Sequence, residues 1–199
     1  MQITKSNINQ FIEPNFQLTM DCSGMNITEI SYIPKNIEKL YCNNNKLTSL
    51  PKLPDSLTHL YCYGNQLTEL PDIPNSLEYL YCYSNELIKI TKLPNGLIEL
   101  YCHNNKLTEL FKLPNCLIEL YCHNNKLTEL FKLPESLEYL SCHNNKLTSL
   151  PILPEHLICL DCHNNNLPYK VTINNIKEHN TLLKRKEILK KLNKSISRI

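Results

Sequence analysis

Apolar side chains recur along this chain at fixed offsets within blocks of twenty residues. Residues 41–60 read YCNNNKLTSLPKLPDSLTHL, and residues 61–80 read YCYGNQLTELPDIPNSLEYL. The blocks 101–120 and 121–140 are identical at 16 of 20 positions. The period holds from Asp21 to about Pro168 without insertion or deletion, which makes seven full units and a partial eighth. Self-similarity at a short fixed period indicates a repeat architecture.

The pattern within one unit predicts a short strand and not a helix. A helix needs an apolar residue every three to four positions over ten or more residues, and the two prolines of the unit 41–60 interrupt any such segment. Leu60 and Cys62 alternate with Tyr61 and Tyr63, as the two faces of a strand require. We therefore expect stacked coils with a parallel β-sheet on the concave face, its strands about 4.8 Å apart. The proline-rich half of each unit should return along the convex side, extended or polyproline-like.

The repeated pattern LxxLxCxxNxLTxLPxLPxx resembles the short bacterial-type leucine-rich repeat. In one copy its signature positions are occupied by Leu57, Leu60, Cys62, Asn65, Leu67 and Leu70, and its return segment by Pro71 and Pro74. Such repeats occur in bacterial secreted effectors, and similar ones occur in proteins of giant DNA viruses. The resemblance covers about 150 of the 199 residues and implies a leucine-rich-repeat solenoid over residues 21–168.

Two departures from this family limit what the resemblance implies. Its effector ligases carry a large catalytic domain after the repeats, whereas about 30 residues follow them here. The usual helical N-terminal cap is shortened or missing, so we expect residues 1–20 to form a small cap, with residues 11–20 as a degenerate half-unit. The first residues lack a long apolar run after a basic start, and no run of 18 apolar residues occurs, so we expect neither a secretory signal nor a membrane span.

A basic segment, residues 169–199, follows the repeats. Residues 170–199 hold nine Lys or Arg against two Glu, a net charge of +7, so the remainder of this +2 chain carries −5. Helical spacing of apolar side chains predicts an amphipathic α-helix, with its stripe at Leu182, Leu189, Leu192, Ile196 and Ile199. We expect this helix to cap the last coil, because a solenoid must shield its open end. The alternatives are docking on the acidic body or binding to an acidic membrane surface or to nucleic acid.

Eight cysteines occupy one inward offset: Cys22, Cys42, Cys62, Cys82, Cys102, Cys122, Cys142 and Cys162. We interpret them as small core side chains and not as a disulfide framework, because the chain is long and leucine-rich. No CxxC pair supports a zinc knuckle. Free buried thiols point to a reducing compartment, so we expect a cytoplasmic location, which includes the cytoplasm of a host cell. Cys116 and Cys159 lie off this ladder and are predicted to be the more reactive thiols.

A second ladder consists of asparagines: Asn45, Asn65, Asn85, Asn105, Asn125, Asn145 and Asn165. An amide has donors and acceptors, and buried backbone groups need partners. We therefore expect each amide to bond backbone groups of its own and the next coil. Met25 stands at this offset in the first unit, which predicts the end of the ladder there.

Three outward rows are predicted to line the concave face. One reads Asp21, Tyr41, Tyr61, Tyr81, Tyr101, Tyr121, Ser141 and Asp161; the next reads Ser23, Asn43, Tyr63, Tyr83, His103, His123, His143 and His163; the third reads Lys39, His59, Tyr79, Glu99, Glu119, Tyr139 and Cys159. Tyrosine offers large area, a polar tip and a low entropy cost. The residues expected to bind a partner are Tyr61, Tyr63, Tyr81, Tyr83, Tyr101, His103, Tyr121, His123 and His143. Stacked aromatic side chains also stabilise neighbouring strands, and the two roles are compatible.

The histidine row raises two further questions, metal binding and pH response. We expect no metal site, because parallel imidazoles on a gently curved sheet do not converge on one ion. Protonated rings about 4.8 Å apart repel each other, so the row should resist charging together.

Catalysis is not expected. The sequence has no nucleophile elbow, phosphate-binding loop, dinucleotide fingerprint or HExxH motif. Cys159, Asp161 and His163 share the last strand, but a thiol and an imidazole four residues apart lie about 13 Å from each other, too far for proton transfer. We therefore expect a non-catalytic scaffold without cofactor or small-molecule substrate that binds a protein, including a host protein, through the concave face. The alternative is a structural protein that associates with a membrane surface or nucleic acid through its basic helix.

Overall fold

The computed structural model describes residues 1–12, 18–110 and 112–196. Their strands are β1 (Gln2–Ile3), β2 (Thr19–Asp21), β3 (Glu29–Ile30), β4 (Lys39–Tyr41), β5 (His59–Tyr61), β6 (Tyr79–Tyr81), β7 (Glu99–Tyr101), β8 (Glu119–Tyr121), β9 (Tyr139–Ser141) and β10 (Cys159–Asp161). Eight of them form one parallel sheet in the order β2, β4, β5, β6, β7, β8, β9, β10. The predicted solenoid is therefore confirmed, with one sheet strand in each twenty-residue coil.

The sheet has a register of twenty residues from one strand to the next. Leu60 pairs with Leu40 and Leu80, and Tyr61 pairs with Tyr41 and Tyr81. Equal offsets therefore become neighbouring columns, as the period predicts. Leu60 is fully buried, and so is the cysteine two residues later in the coil, whereas Tyr61 on the opposite side is only partly covered. The leucine and cysteine columns form one continuous core along the solenoid.

The return half of each coil, in the described residues between β4 and β10, contains neither helix nor strand. It includes one turn, in which the Leu57 amide donates to the Pro54 carbonyl at 3.1 Å, and the same bond recurs in the other coils. A second bend follows each strand and requires a left-handed residue, such as Gly64 with φ of +65°. Asparagine or serine occupies this position with φ of 50–55° in other coils, for example Asn44 and Ser84, and a β-carbon on Gly64 would displace the Asn44 side chain, whose Oδ1 would lie 2.5 Å away.

The asparagine ladder connects each coil to the preceding one. The amide nitrogen of Asn65 donates to the carbonyls of Cys42 and Cys62, at 3.0 and 3.1 Å. Its Oδ1 accepts a hydrogen bond from the amide of Leu47 at 3.0 Å. The predicted bonds within the asparagine's own coil and to a neighbouring coil are present, but the neighbour is the preceding coil and not the next one, so that part of the prediction was wrong. At the start of the ladder, the Met25 amide donates to Oδ1 of the asparagine of the following coil at 3.1 Å.

The N-terminal residues lie against the first coil. Strand β1 pairs in parallel with β3, and a 3-10 helix follows at Ile8–Phe11. Ile3, Ile8 and Phe11 are buried in the core cluster, and thereby extend it beyond the first strand of the main sheet. Residues 13–17 of the half-unit expected at 11–20 lie outside the described residues.

The chain after the last coil forms a 3-10 helix at Ile173–Asn175 and the helix α1 at Ile176–Ile196. The first two turns of α1 cover the end of the core. Ile176 is buried, and the Asn180 side chain bonds both the amide and the carbonyl of Leu153, at 2.9 and 2.8 Å. The His179 ring lies between the Tyr169 hydroxyl and the Pro151 carbonyl.

The stripe predicted to hold this helix on the solenoid does not do so. Leu182, Leu189 and Leu192 are 38, 58 and 54% exposed. Among the described side chains of the helix, Ile176, His179 and Asn180 make the buried or hydrogen-bonded contacts with the last coil. Ile199 and the side chain of Ile196 lie outside the described set. In the part of the chain that is described, no helix combines the length and apolar character needed to cross a membrane.

Candidate functional site

The side of the main sheet that carries Tyr61, opposite the core, is here called the strand face. All nine residues predicted to bind a partner lie on it, in two adjacent columns. The first column consists of Tyr41, Tyr61, Tyr81, Tyr101 and Tyr121, and the second of Tyr63, Tyr83, His103, His123, His143 and His163. The structure therefore brings these side chains together as the period predicts, whereas their role in binding stays a prediction.

The rings within each column are stacked. The centroids of Tyr61 and Tyr81 are 4.6 Å apart with 17° between the planes, and those of Tyr63 and Tyr83 are 4.3 Å apart with 6°. This spacing follows from the distance of about 4.8 Å between neighbouring strands. Because neighbours cover the faces of the rings, the edges and polar tips are the parts that remain available to a partner.

Two carboxylates lie beside the middle of the first column. The Tyr81 hydroxyl donates to Glu99, and the Tyr101 hydroxyl donates to Oε2 of Glu119 at 2.5 Å. Burial and then the neighbouring carboxylate raise the pKa of each of these phenols above its ordinary range, so both hydroxyls stay protonated donors. The sequence places both glutamates in the third outward row, but spacing alone does not show which hydroxyl each one binds.

The first column changes chemistry at its C-terminal end, where Ser141 and Asp161 replace tyrosine. The Ser141 hydroxyl lies 3.0 Å from Nδ1 of His123 and 3.1 Å from Nδ1 of His143. Asp161 lies 3.1 Å from Nδ1 of His143 and 2.5 Å from Nδ1 of His163. We call these five residues the histidine end, and Tyr41, Tyr61, Tyr63, Tyr81 and Tyr83 the tyrosine end.

His103 stands at the boundary between the two ends. Its Nδ1 is buried without a hydrogen-bond partner, because the neighbouring residue of the first column is Tyr121 and not a serine or aspartate. Burial, followed by the charges of His123 and His143, lowers the pKa of His103 to about 4. Burial is also the first cause that lowers the pKa of His123 and of His143. Burial therefore contributes more than mutual repulsion to the lowered pKa of His103, His123 and His143, and the resistance of the row to charging together stays a prediction.

Ser141, His143 and Asp161 contain the residue types of a catalytic relay but not its geometry. In such a relay, one imidazole nitrogen faces the hydroxyl and the other faces the carboxylate. Here Nδ1 of His143 faces both Ser141 and Asp161. Asp161 therefore cannot orient this ring for proton abstraction from the serine.

The ten cysteines are all unpaired, and they differ in exposure. The eight of the ladder are buried, and burial raises the pKa of Cys62 and of Cys122 to about 12. Their thiols are therefore protonated at neutral pH, as the interpretation as core side chains requires. Cys116 and Cys159 are exposed, and their greater reactivity stays a prediction.

Comparison with known proteins supports the assignment of the repeats. A family model described as leucine-rich repeats in two copies matches residues 35–75. Among solved structures, the chain is similar to YopM from Yersinia enterocolitica WA-314, with 33% sequence identity and a TM-score of 0.78 over 85% of this chain and 36% of that one. It is also similar to a leucine-rich-repeat domain of a Shigella effector, with 31% identity and a TM-score of 0.73 over 81% of this chain and 75% of that one.

The cysteine column has a parallel in a third solved structure. The functional domain of InlJ from Listeria monocytogenes, described as including a cysteine ladder, shares 30% identity with a TM-score of 0.61 over 78% of this chain and 41% of that one. This chain therefore spans about a third of the YopM structure and less than half of the InlJ structure. None of the curated proteins compared with the chain matches it.

Proposed function

The chain belongs to the leucine-rich-repeat family, and from this premise we propose that it is a non-catalytic scaffold that binds a protein partner through the strand face. Proteins of this fold are generally interaction scaffolds, as the similarity to a bacterial effector domain illustrates. The observation that carries the proposal is the pair of stacked aromatic columns, which together span seven neighbouring strands with partly exposed rings. Bacterial effectors suggest a host protein as the partner and a host cytoplasm as the location.

Stacking makes this face rigid before any partner arrives. A tyrosine side chain held between two rings has little rotamer freedom left to lose on binding, so little entropy is lost there. The ring edges provide apolar contact, and Glu99 and Glu119 place two carboxylates beside the centre of the first column. Carboxylates in this position favour a partner that presents Arg or Lys side chains.

Affinity capture from extracts of the native host, followed by mass spectrometry, tests the proposal. The variant is Tyr81→Ala/Tyr101→Ala/Tyr121→Ala, which removes three adjacent rings of the first column. The matched control is Lys92→Ala/Lys112→Ala/Lys132→Ala, three exposed side chains at one offset of the return half. A partner captured by the parent and the control but lost by the tyrosine variant is expected, with circular dichroism showing that both variants are folded. Equal capture by both variants overturns the proposal.

The basic helix offers a second candidate function, binding to an anionic membrane surface or nucleic acid. The observation that favours it is the exposure of Leu182, Leu189 and Leu192 on a helix that also carries lysine and arginine. A chain ending at Leu183 retains Ile176, His179, Asn180 and the partly buried Leu183 of the cap, and removes the basic residues that follow. If the helix acts on its own, this truncation abolishes sedimentation with phosphatidylserine vesicles or binding to duplex DNA and leaves partner capture unchanged. Loss of partner capture instead assigns the helix to the protein interface.

A further inference from the structure

We propose that His143, Asp161 and His163 bind one divalent transition-metal ion, such as Zn²⁺, at the C-terminal end of the strand face. Each residue offers one ligand atom, and these three atoms lie within 4.8 Å of one another. Two imidazoles and a carboxylate are a ligand set that zinc uses in proteins, with further positions left open. The proposal does not depend on the identity of the partner protein.

The sheet register brings the three side chains together. Ser141 pairs with Asp161 in neighbouring strands, so His143 and His163, two residues later, are also neighbours. The carboxylate of Asp161 lies between the two rings, with one oxygen 3.1 Å from Nδ1 of His143 and the other 2.5 Å from Nδ1 of His163. Two ligand atoms on one tetrahedral zinc ion are about 3.3 Å apart. The first distance already fits this value, and the second must lengthen when the ion replaces the hydrogen bond.

We expected no metal in this row because parallel rings do not point at one ion. Two features change that expectation: the carboxylate of Asp161, and the position of His163 at the edge of the sheet. The rings of His143 and His163 are 8° from parallel, so both cannot direct a lone pair at one ion as they stand. His143 is stacked on His123 at 4.3 Å, and its side chain is only 18% exposed. His163 lies just beyond the edge strand β10, and its side chain is 57% exposed, so it has room to rotate. Asp161 adds a ligand from the strand itself.

The rest of the strand face shows why the site is confined to this end. In the described residues, no other group of three metal-ligating side chains converges in this way. At the opposite end of the sheet, Asp21 occupies the offset of Asp161, but Ser23 replaces histidine and donates to Asp21 at 2.7 Å. Asp21 is therefore a matched internal control.

Isothermal titration calorimetry with Zn²⁺ tests the site in the full-length chain. Because the exposed Cys116 and Cys159 can also bind zinc, the background carries Cys116→Ser and Cys159→Ser. We expect one ion per chain, and affinity at least tenfold weaker in Asp161→Asn and in His163→Ala. Asp21→Asn and His156→Ala, which replaces an exposed histidine of the return half, should leave the affinity unchanged.

NMR of the imidazole nitrogens provides a readout that does not depend on affinity. Binding should shift Nδ1 of His143 and of His163, and leave His156 unshifted. The proposal is overturned if the background chain takes up no zinc at millimolar concentration. It is equally overturned if Asp161→Asn and His163→Ala bind zinc as the background does.

Discussion

The tyrosine end and the histidine end of the strand face share one backbone and differ in chemistry. Tyr63 and Tyr83 stack at 4.3 Å, and His123 and His143 stack at the same 4.3 Å. The spacing is therefore set by the coil and not by the ring that occupies it. In this fold, a residue on the face can change its chemistry without a change of scaffold, which is why the two ends carry different polar groups on the same backbone.

The difference between the two ends comes from the polar atoms of the rings. A phenol hydroxyl projects beyond the column, as that of Tyr81 does when it reaches Glu99. The Nδ1 atoms of the histidines instead lie close to the sheet, where they need a small polar neighbour such as Ser141. His103 has no such neighbour, so the boundary between the two ends is the position least tolerant of a proton.

The largest expected effect breaks the scaffold that both ends share. Asn65→Leu at the tyrosine end and Asn125→Leu at the histidine end each remove an amide that bonds two coils. Both leave several buried backbone groups unpaired, so we expect each to lower the free energy of unfolding by about 3 kcal/mol or more. Urea denaturation monitored by circular dichroism measures this. If only one of the two variants were less stable than the parent chain, the two ends would not depend on the same asparagine scaffold.

An intermediate effect separates the ends by pH. The pKa of His103 is about 4 in the folded chain and close to 6.5 when unfolded. The unfolded state therefore binds the proton first, and stability present above pH 6.5 is lost as the pH falls toward 4. Discounted for the partial exposure of the ring, the loss is about 1–2 kcal/mol. His103→Tyr, which continues the tyrosines at positions 63 and 83 of the second column, should remove this loss of stability. Urea denaturation at a series of pH values measures it.

The control for this pH dependence is His156→Gln, at an exposed position away from the strand face. It should retain the same fall in stability between pH 6.5 and 4 as the parent chain. A parallel fall in His103→Tyr would assign the acid sensitivity to other groups, and the contrast between the two ends would then not include pH.

The smallest effect is expected at a single hydroxyl beside the tyrosine end. Tyr101→Phe keeps the stacked ring and removes the bond to Glu119. Because the pair is partly solvated, we expect a cost of about 0.5–1 kcal/mol. A double-mutant cycle with Glu119→Gln, measured by urea denaturation, isolates the interaction. No coupling between the two changes would show that this hydrogen bond does not stabilise the fold.

The sequence predicts most of the fold because the period carries the register. Once Leu60 and Cys62 are assigned to the core side, the neighbours of Tyr61 follow without further information. The asparagine ladder is predictable for the same reason, since a polar amide at an invariant offset must bond groups that recur at the same offset. These features are local or periodic, and the structure repeats them from coil to coil.

The parts that the sequence does not predict depend on non-periodic contacts. Ser141 and Asp161 are visible as breaks in the first column, but only the structure shows that both face Nδ1 of His143. The predicted docking side of the C-terminal helix was wrong for a related reason. An apolar stripe indicates a docking side, whereas His179 and Asn180 anchor the helix through polar bonds that no hydrophobic pattern reveals.

The constant register also affects how this protein can change in evolution. Equivalent side chains of different coils are separated by a whole number of steps of about 4.8 Å, and the units 101–120 and 121–140 are nearly identical in sequence. Gain or loss of one such unit at the genetic level shifts the two termini apart or together by one step and leaves each remaining contact in place. The length of the strand face is thus adjustable by copy number, independently of the side chains that it carries.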